Sequence, residues 1–272
     1  MTYFEGKVVI VTGASTGIGR ATAELFAQRG AKVAITGRNA ESLEITRQLC
    51  EKAAGGNADK VHVIIADVTK EEDTKRIIAE TVNKFGQLDV LVNNAGAATK
   101  PGLPDSHYSR PLEVFDYVMN LNARSLIALD QEAIPHLKKT KGNIVNVSSV
   151  AGFKAFPHGA YYCMAKAAND QLNRILAIDL AKEGIRVNNI NPGPVRTEFA
   201  SAMGMSDAAK DWMEENYVKP NCPLGRSGTS EEMATVIAFL ANNDEARFVT
   251  GQMLVADGGF SISSPPLPTQ AS

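Results

Sequence analysis

The sequence predicts an α/β protein: a single doubly wound domain with a parallel sheet of about seven strands and helices on both faces. Three observations carry this. Short β-branched runs alternate with longer amphipathic stretches, a glycine-rich turn follows the first run, and no second set of apolar runs is left over to build another core.

The elements follow in order. Val8-Val9-Ile10-Val11 precedes an amphipathic stretch from Ala21 to Arg29, and Val33-Ala34-Ile35 precedes Glu41 to Ala54. Val61 to Ile65 precedes Glu71 to Phe85, and Val90-Leu91-Val92 closes the first half. Thr69 and Glu72 form a T-x-x-E capping box that is expected to start the third helix, just after Asp67 ends its strand. The second half continues with Ile144 to Val147, a long helix from about Ala160 to Glu183, Arg186 to Ile190, and a last strand, Gln252 to Val255, before Asp257-Gly258-Gly259. Two segments break the alternation. Ala97 to Pro111 is rich in Gly, Pro and Ser, and Phe199 to Gly228 carries Met203, Met205, Trp212, Met213 and Tyr217 around a short helix. Ligands of such sheets sit beyond the C-terminal strand ends, so both segments are candidates for a substrate lid, with ordinary loops or an oligomer contact as the alternatives. The domain is expected to span 1–262, with the lid at about 198–228. The proline-rich tail, 263–272, is expected to be extended or disordered.

A chain of 272 residues with 44% hydrophobic content can bury a full core as one domain. A formal charge of -2 and a pI near 6.1, with no Lys/Arg block, argue against nucleic acid as a partner. No apolar run approaches the roughly 18 residues of a membrane span, and Met1 to Lys7 lacks the regions of a secretory signal. The expected compartment is therefore cytoplasmic, with no membrane partner. Cys50, Cys163 and Cys222 are odd in number and widely spaced, which fits free thiols. His62, His107, His136 and His158 form no metal-binding pattern, and no metal site is expected.

The turn Thr12-Gly13-Ala14-Ser15-Thr16-Gly17-Ile18-Gly19 has spacing G-x3-G-x-G between a strand and a helix. Positions without side chains let backbone N–H groups and the helix N-terminus approach a pyrophosphate, which makes the domain Rossmann-like. Glycines in such a turn are also common for purely structural reasons. The second strand ends Thr36-Gly37-Arg38-Asn39, where the adenosine ribose of a dinucleotide belongs. An acidic residue there would accept from a free 2′-hydroxyl, whereas Arg38 can grip a 2′-phosphate, so the cofactor is read as NADP(H). The plainer reading is an exposed Arg at a strand end. Asp67, with Val68, is placed to accept from the adenine amino group, although an Asp before a helix is often a turn residue. Asn93-Asn94-Ala95-Gly96 ends the fourth strand, and Asn191-Pro192-Gly193-Pro194-Val195-Arg196-Thr197 ends the sixth.

Together with Ser148-Ser149-Val150-Ala151-Gly152 and Tyr162-Cys163-Met164-Ala165-Lys166, these motifs make the chain resemble the short-chain dehydrogenase/reductase family, in order and spacing from Lys7 to about Phe260. The Thr36-Gly37-Arg38-Asn39 stretch also looks like that of tropinone-reductase-like and carbonyl-reductase-like members that use NADPH. The resemblance implies a catalytic group of Asn122, Ser149, Tyr162 and Lys166. Only Tyr162, not Tyr161, has a Lys four residues on, and it lies thirteen after Ser149; Asn122 is favoured over Asn120 by the run around it. It implies a cofactor contact set of Gly13, Ser15, Thr16, Gly17, Ile18, Gly19, Arg38, Asn39, Asp67, Val68, Asn94, Ala95, Gly96, Tyr162, Lys166, Pro192, Gly193, Val195 and Thr197.

Residues i and i+4 share a helix face, so the Lys166 ammonium is expected below the Tyr162 phenol. Bringing a phenol from about 10 to neutral takes roughly 4 kcal/mol, about what one charge at about 4 Å supplies at an effective dielectric near 20. Cys163 reads as a small helix residue facing elsewhere. Phe153, Phe156, Phe199, Met203, Trp212 and Tyr217 lie on segments resembling the family's pocket walls, with no cation to hold an acid. The expected substrate is a small or medium carbonyl or secondary alcohol. An NAD-dependent polyol or sugar dehydrogenase and a non-catalytic NADP(H)-sensing protein are the alternatives. The resemblance also implies a homo-oligomer, dimer or tetramer, joined through the Tyr–Lys helix and roughly Arg124 to Lys138, with the last strand near Met253 at a second interface.

Overall fold

The computed structural model describes residues 3–103 and 105–263. The tail beyond 263, expected to be extended, lies outside the described residues. The chain runs β1 (Val8–Thr12), α1 (Gly17–Gln28), β2 (Lys32–Gly37), α2 (Ala40–Ala53), β3 (Val61–Ile65), α3 (Glu71–Phe85), β4 (Val90–Asn93), α4 (Leu112–Met119), α5 (Ser125–Thr140), β5 (Asn143–Val147), α6 (Ala160–Leu180), β6 (Arg186–Pro192), α7 (Phe199–Ala202), α8 (Asp207–Met213), α9 (Lys219–Asn221), α10 (Ser230–Ala241) and β7 (Met253–Ala256).

All seven strands pair in parallel in the order β3-β2-β1-β4-β5-β6-β7. The order reverses between β1 and β4, and the crevice above their C-terminal ends is where such sheets receive ligands. Alternate residues of each strand feed opposite faces. Val9, Val11, Val33, Ile35 and Val92 pack with Phe26 of α1 and Ile237 and Leu240 of α10. Ile10, Ala34, Ile64, Leu91 and Ile144 pack with Ile77, Leu129 and Leu137 on the other side. Burial on both faces explains why these strands read as continuous apolar runs, each large side chain contributing roughly 1.5–3 kcal/mol. The later strands differ: β5 and β6 bury Asn143, Asn146, Asn188, Asn189 and Asn191.

The capping box expected at Thr69 and Glu72 does not form. The Thr69 N–H (3.0 Å) and hydroxyl (2.7 Å) both donate to Asp67 Oδ1, so α3 starts at Glu71 with Lys70 as an N-cap that makes no side-chain bond. A local Asx turn has outcompeted the cap, and the acidic first turn, Glu71, Glu72 and Asp73, suits the helix dipole instead. The T-x-x-E that does cap is Thr229 and Glu232 at the start of α10, with Glu232 N–H donating to Thr229 Oγ1 (3.2 Å) and Thr229 N–H to Glu232 Oε2 (2.8 Å).

Between α4 and α5 the helix is continuous but widens into a π turn over Asn120–Arg124. The segment read as a lid around one short helix holds three, α7 to α9, with a second π turn at Glu214–Val218. Within it the buried Glu214 accepts from the Ser227 N–H (3.0 Å) and hydroxyl (2.5 Å), and the segment is tied to the body by the Leu224 N–H donating to the Gly258 carbonyl (3.1 Å) and by the Val195–Gly228 bridge. No helix among the described residues is long and apolar enough to cross a membrane.

Candidate active site

The turn after β1 and the loop after β4 face each other across the crevice, closer than side chains would permit. A methyl on Gly13 (φ +64°) would lie 2.8 Å from Ala95 Cα, and one on Gly19 would lie 2.3 Å from the Gly13 carbonyl oxygen and 2.5 Å from Asn94 Nδ2. Asn94 holds this arrangement: its amide donates to the Thr12 (2.9 Å) and Gly13 (3.1 Å) carbonyls, while Asn94 and Ala95 N–H groups donate to Thr12 Oγ1. Gly17 (φ +55°) would meet Thr197 Cβ at 3.2 Å, which brings the loop after β6 to the same turn. Thr16, the N-cap of α1, makes no side-chain cap bond, and the first turn of α1 has no acidic residue. The N–H groups at that helix end are left facing the glycine cradle, an arrangement that fits a dinucleotide pyrophosphate. Ile18 instead packs into the core beneath the turn.

At the end of β2 a methyl on Gly37 would lie 2.4 Å from Ser15 Oγ. Arg38 is exposed and donates to Tyr117 Oη at 3.4 Å. Asn39 is the N-cap of α2, its Oδ1 accepting from the Ser42 N–H (2.8 Å). A cation that sequence reading did not single out is also here. Arg20 reaches back from α1 to donate to the Ser15 carbonyl, to Thr46 Oγ1 (3.1 Å) and to the Ser42 carbonyl (3.4 Å). Its i+4 position from Thr16 was the available signal. Asp67 Oδ1 is engaged by Thr69, and Val68 is buried in the core. On the far side Pro192 ends β6, Gly193 packs on Asp257, Val195 bridges to Gly228, and Thr197 Oγ1 accepts from the Phe199 N–H (3.2 Å).

The four residues marked by the resemblance converge beside Gly96. Asn122 sits in the π turn, fully buried, donating to the Ala97 (2.9 Å) and Val118 (2.9 Å) carbonyls and accepting from the Ala97 N–H (3.3 Å). π turns recur at functional sites because the widened turn re-aims a side chain. A methyl on Gly96 would be 2.7 Å from Asn122 Oδ1 and 3.6 Å from Lys166 Nζ, so glycine leaves the space these two share. Asn120, the other candidate, keeps its buried Oδ1 without a hydrogen-bond partner. Ser149 caps the short turn Val150–Gly152, its Oγ accepting from the Ala151 N–H (3.1 Å). Lys166 Nζ lies over the Tyr162 ring, 5.5 Å from its centre, and donates to the Val147 carbonyl (2.8 Å). Tyr161 turns the other way: its hydroxyl donates to the Tyr108 and Arg110 carbonyls and ties the 105–111 loop to α6.

The electrostatics differ from the sequence arithmetic. Burial pushes the Tyr162 phenol above its ordinary value, against the opposing pull of Ser149, and Cys163 adds to the rise. Burial likewise brings the Lys166 ammonium down to about 8, with Asp170 pulling it back up. The lysine therefore stands where expected, but desolvation outweighs its expected pull on the phenol. Aromatic side chains gather beside the site: Phe199 is 6.0 Å from Tyr162 between ring centres, and Phe156 and Tyr217 pack on Phe260. Among the described residues no three His, Cys, Asp or Glu side chains are grouped to hold a metal.

Comparisons with known proteins agree with this architecture. The enoyl-(acyl carrier protein) reductase family model matches residues 13–261. A Caenorhabditis elegans short-chain dehydrogenase/reductase of unknown function, solved with cofactor, superposes with a TM-score of 0.92 at 45% identity, covering 96% of this chain and 97% of that one. The apo-form glucose dehydrogenase of the same organism gives 0.81 at 46%, covering 95% and 99%. Glucose 1-dehydrogenase of Gluconobacter oxydans is 38% identical over 95% of this chain and 93% of its own. A sheet of this order, a glycine cradle at its switch point and relatives matched over nearly their full length lead to one conclusion: the chain is a nicotinamide-dependent oxidoreductase and belongs to the short-chain dehydrogenase/reductase family.

Proposed function

We propose that the protein is an NADP(H)-dependent reductase of small or medium carbonyls, or dehydrogenase of the matching secondary alcohols, with Tyr162 as general acid and base. The observation that carries the cofactor reading is the end of β2. An acidic side chain at Gly37 would run into Ser15 Oγ 2.4 Å from its first carbon, while Arg38 stands exposed beside it and Arg20 adds a second cation at the same turn. That chemistry suits a 2′-phosphate and not a free ribose hydroxyl held by a carboxylate.

The turn residues Gly13, Ser15, Thr16, Gly17, Ile18 and Gly19, with Arg38, Asn39, Asp67, Val68, Asn94, Ala95, Gly96, Pro192, Gly193, Val195 and Thr197, form the cofactor wall in this reading. When bound, the nicotinamide supplies or accepts the hydride. Ser149 donates a hydrogen bond to the substrate oxygen, and Tyr162 gives that oxygen its proton in reduction or removes it in oxidation. A phenol raised by burial is protonated near neutral pH, the form reduction needs. Lys166, at about 8, exchanges protons near working pH and with Asn122 links the phenol to solvent. The unit spans 1–262, with 198–228 closing over the aromatic wall. Ile127 on α5 and Met164, Ile175 and Ile178 on α6 are exposed, which supports a homo-oligomer, dimer or tetramer, joined on these helices. We place the protein in the cytoplasm, acting on a small molecule without nucleic-acid or membrane partners.

The test is initial rates over a panel of ketones, dicarbonyls and sugars with NADPH and NADH, before and after Arg38→Asp. The expected outcome is a preference for NADPH of tenfold or more in kcat/KM that the substitution abolishes. A preference for NADH in the wild type rejects the cofactor assignment. A second reading, a polyol or sugar dehydrogenase, is favoured by the two glucose dehydrogenases among the relatives, and glucose oxidation outpacing every ketone in the panel selects it.

A further inference from the structure

A line of buried amides crosses the sheet beneath the site. Asn93 Nδ2 on β4 donates to Asp130 Oδ1 of α5 (2.9 Å) and to Asn146 Oδ1 of β5 (2.9 Å). Asn146 Nδ2 donates to Asn189 Oδ1 of β6 (2.9 Å), and Asn189 Nδ2 donates to Asp170 Oδ1 of α6 (2.9 Å) and to Asn169 Oδ1 (3.2 Å). Asn191 Nδ2 closes the line, donating to both Asp170 oxygens (3.1 and 3.0 Å) and to the Ser149 carbonyl (2.8 Å). From Asn93 the donors run outward, to Asp130 directly and to Asp170 through Asn146 and Asn189, with Asn191 donating to Asp170 from the other side, and every side chain in the line is at most 4% exposed. The ends are not alike. Asp170 accepts three hydrogen bonds, whereas Asp130 Oδ2 and Asn93 Oδ1 are both buried without a partner. A proton on Asp130 gives that carboxyl a donor whose open acceptor is the amide it already touches, so the far end suits a neutral acid and the near end a carboxylate.

The near end meets the site twice. Asp170 lies one helical turn beyond Lys166 on the same face of α6, and both are buried. A methyl on Gly152 would strike Asp170 Oδ2 at 2.3 Å and the Lys166 carbonyl oxygen at 3.1 Å, so the turn that carries Ser149 is seated directly on Asp170. We propose that Asp170 is a positioning residue for two working groups: one turn along the same buried face of α6 it sets a carboxylate behind Lys166, and its bonds to Asn191 hold the turn that carries Ser149. The titratable groups facing Lys166 are Tyr162 and Asp170, both on α6. Strand β5, the loop after β4 and the π turn present the Val147 carbonyl, Gly96 and Asn122, which carry no charge. The inference rests on the reading of Ser149 and Lys166 as working groups.

Its test separates the two effects in the full chain. Lysine labelled with 13C at Cε is titrated by NMR without added ligand, the Lys166 signal being identified by its loss in Lys166→Arg. Asp170→Asn is expected to move the Lys166 midpoint down by half a pH unit or more, and Asn191→Ala to leave it in place. With NADPH and 2,3-butanedione as the probe pair, or glucose with NADP+ if the panel selects sugars, Asn191→Ala is expected to lower kcat at least tenfold with the pH profile unmoved. Folding is checked by thermal melts and NADPH fluorescence. A Lys166 midpoint unchanged in folded Asp170→Asn overturns the proposal, as does wild-type kcat in Asn191→Ala. Should Asp170→Asn not fold, the Asn191→Ala result decides alone. Failure of the underlying functional reading looks different: Tyr162→Phe would then retain turnover, whereas failure of this proposal alone leaves Tyr162→Phe inactive.

Discussion

The two halves of the sheet bury their strands in different chemistry. In β1 and β2 the interior is Val8 to Val11 and Val33 to Ile35, apolar on both faces, and the site above them is made by missing side chains: Gly13, Gly19 and Gly37 sit where any Cβ collides. In β5 and β6 the interior is an amide line whose members are tied to partners 19 to 53 residues away, and the site above is made by side chains. The first half therefore works through close backbone approach, held from across the crevice by Asn94. The second depends on a network in which each member is oriented by the next, and a single unpaired amide in it costs about 1–3 kcal/mol.

That contrast can be broken most sharply at the phenol. Tyr162→Phe removes one hydroxyl from the second half and leaves the glycine cradle intact, so turnover is expected to fall about 10²–10⁴-fold. NADPH affinity, followed by fluorescence titration, is expected to stay within about twofold. A parallel loss of affinity would mean that the halves are not separable.

Next in size is Asp130→Asn. Burial pushes the Asp130 carboxyl up to about 7, against the Asn93 hydrogen bond, while in the unfolded chain it ionises near 4. Between those values the folded protein holds a proton that the unfolded one has lost. Wild-type stability therefore falls as pH rises through this window, by about 1.4 kcal/mol per unit at most, and the loss is complete above pH 7. Asn removes the slope. Thermal melts should show the variant gaining on wild type at pH 8 and not at pH 4. Equal differences at the two pH values would mean that Asp130 carries no such proton.

The third expected effect belongs to the first half. In Gly19→Ala the added methyl must displace the Gly13 carbonyl or the Asn94 amide, and dinucleotide affinity is expected to drop about tenfold, with the Lys166 titration unmoved. Unchanged affinity would reduce the cradle to an ordinary turn.

The difference between the halves also explains what could be read in advance. The strand pattern placed all seven strands to within a residue or two, most plainly in β1, β2 and β4, where burial on both faces forces apolar runs. The glycine turn was legible for the same local reason. Thr69 and Glu72 misled because two short-range geometries compete for one hydroxyl, and Asp67, two residues back, was the nearer acceptor. Arg20 was passed over because helix spacing alone does not tell which way a guanidinium folds back.

By itself, then, the order of residues determined the strands and the glycine turn, which follow from burial of whole strands and from local geometry, while Asn122, Ser149, Tyr162 and Lys166 were marked by the resemblance of their motifs to a known family. Only the tertiary structure decided the proton affinities of the phenol and ammonium, the pairing of Asp130 and Asp170 through the amides, and the closure of Gly37 by Ser15. Those depend on desolvation and on contacts between distant segments, and a linear pattern specifies neither the local dielectric nor the partner.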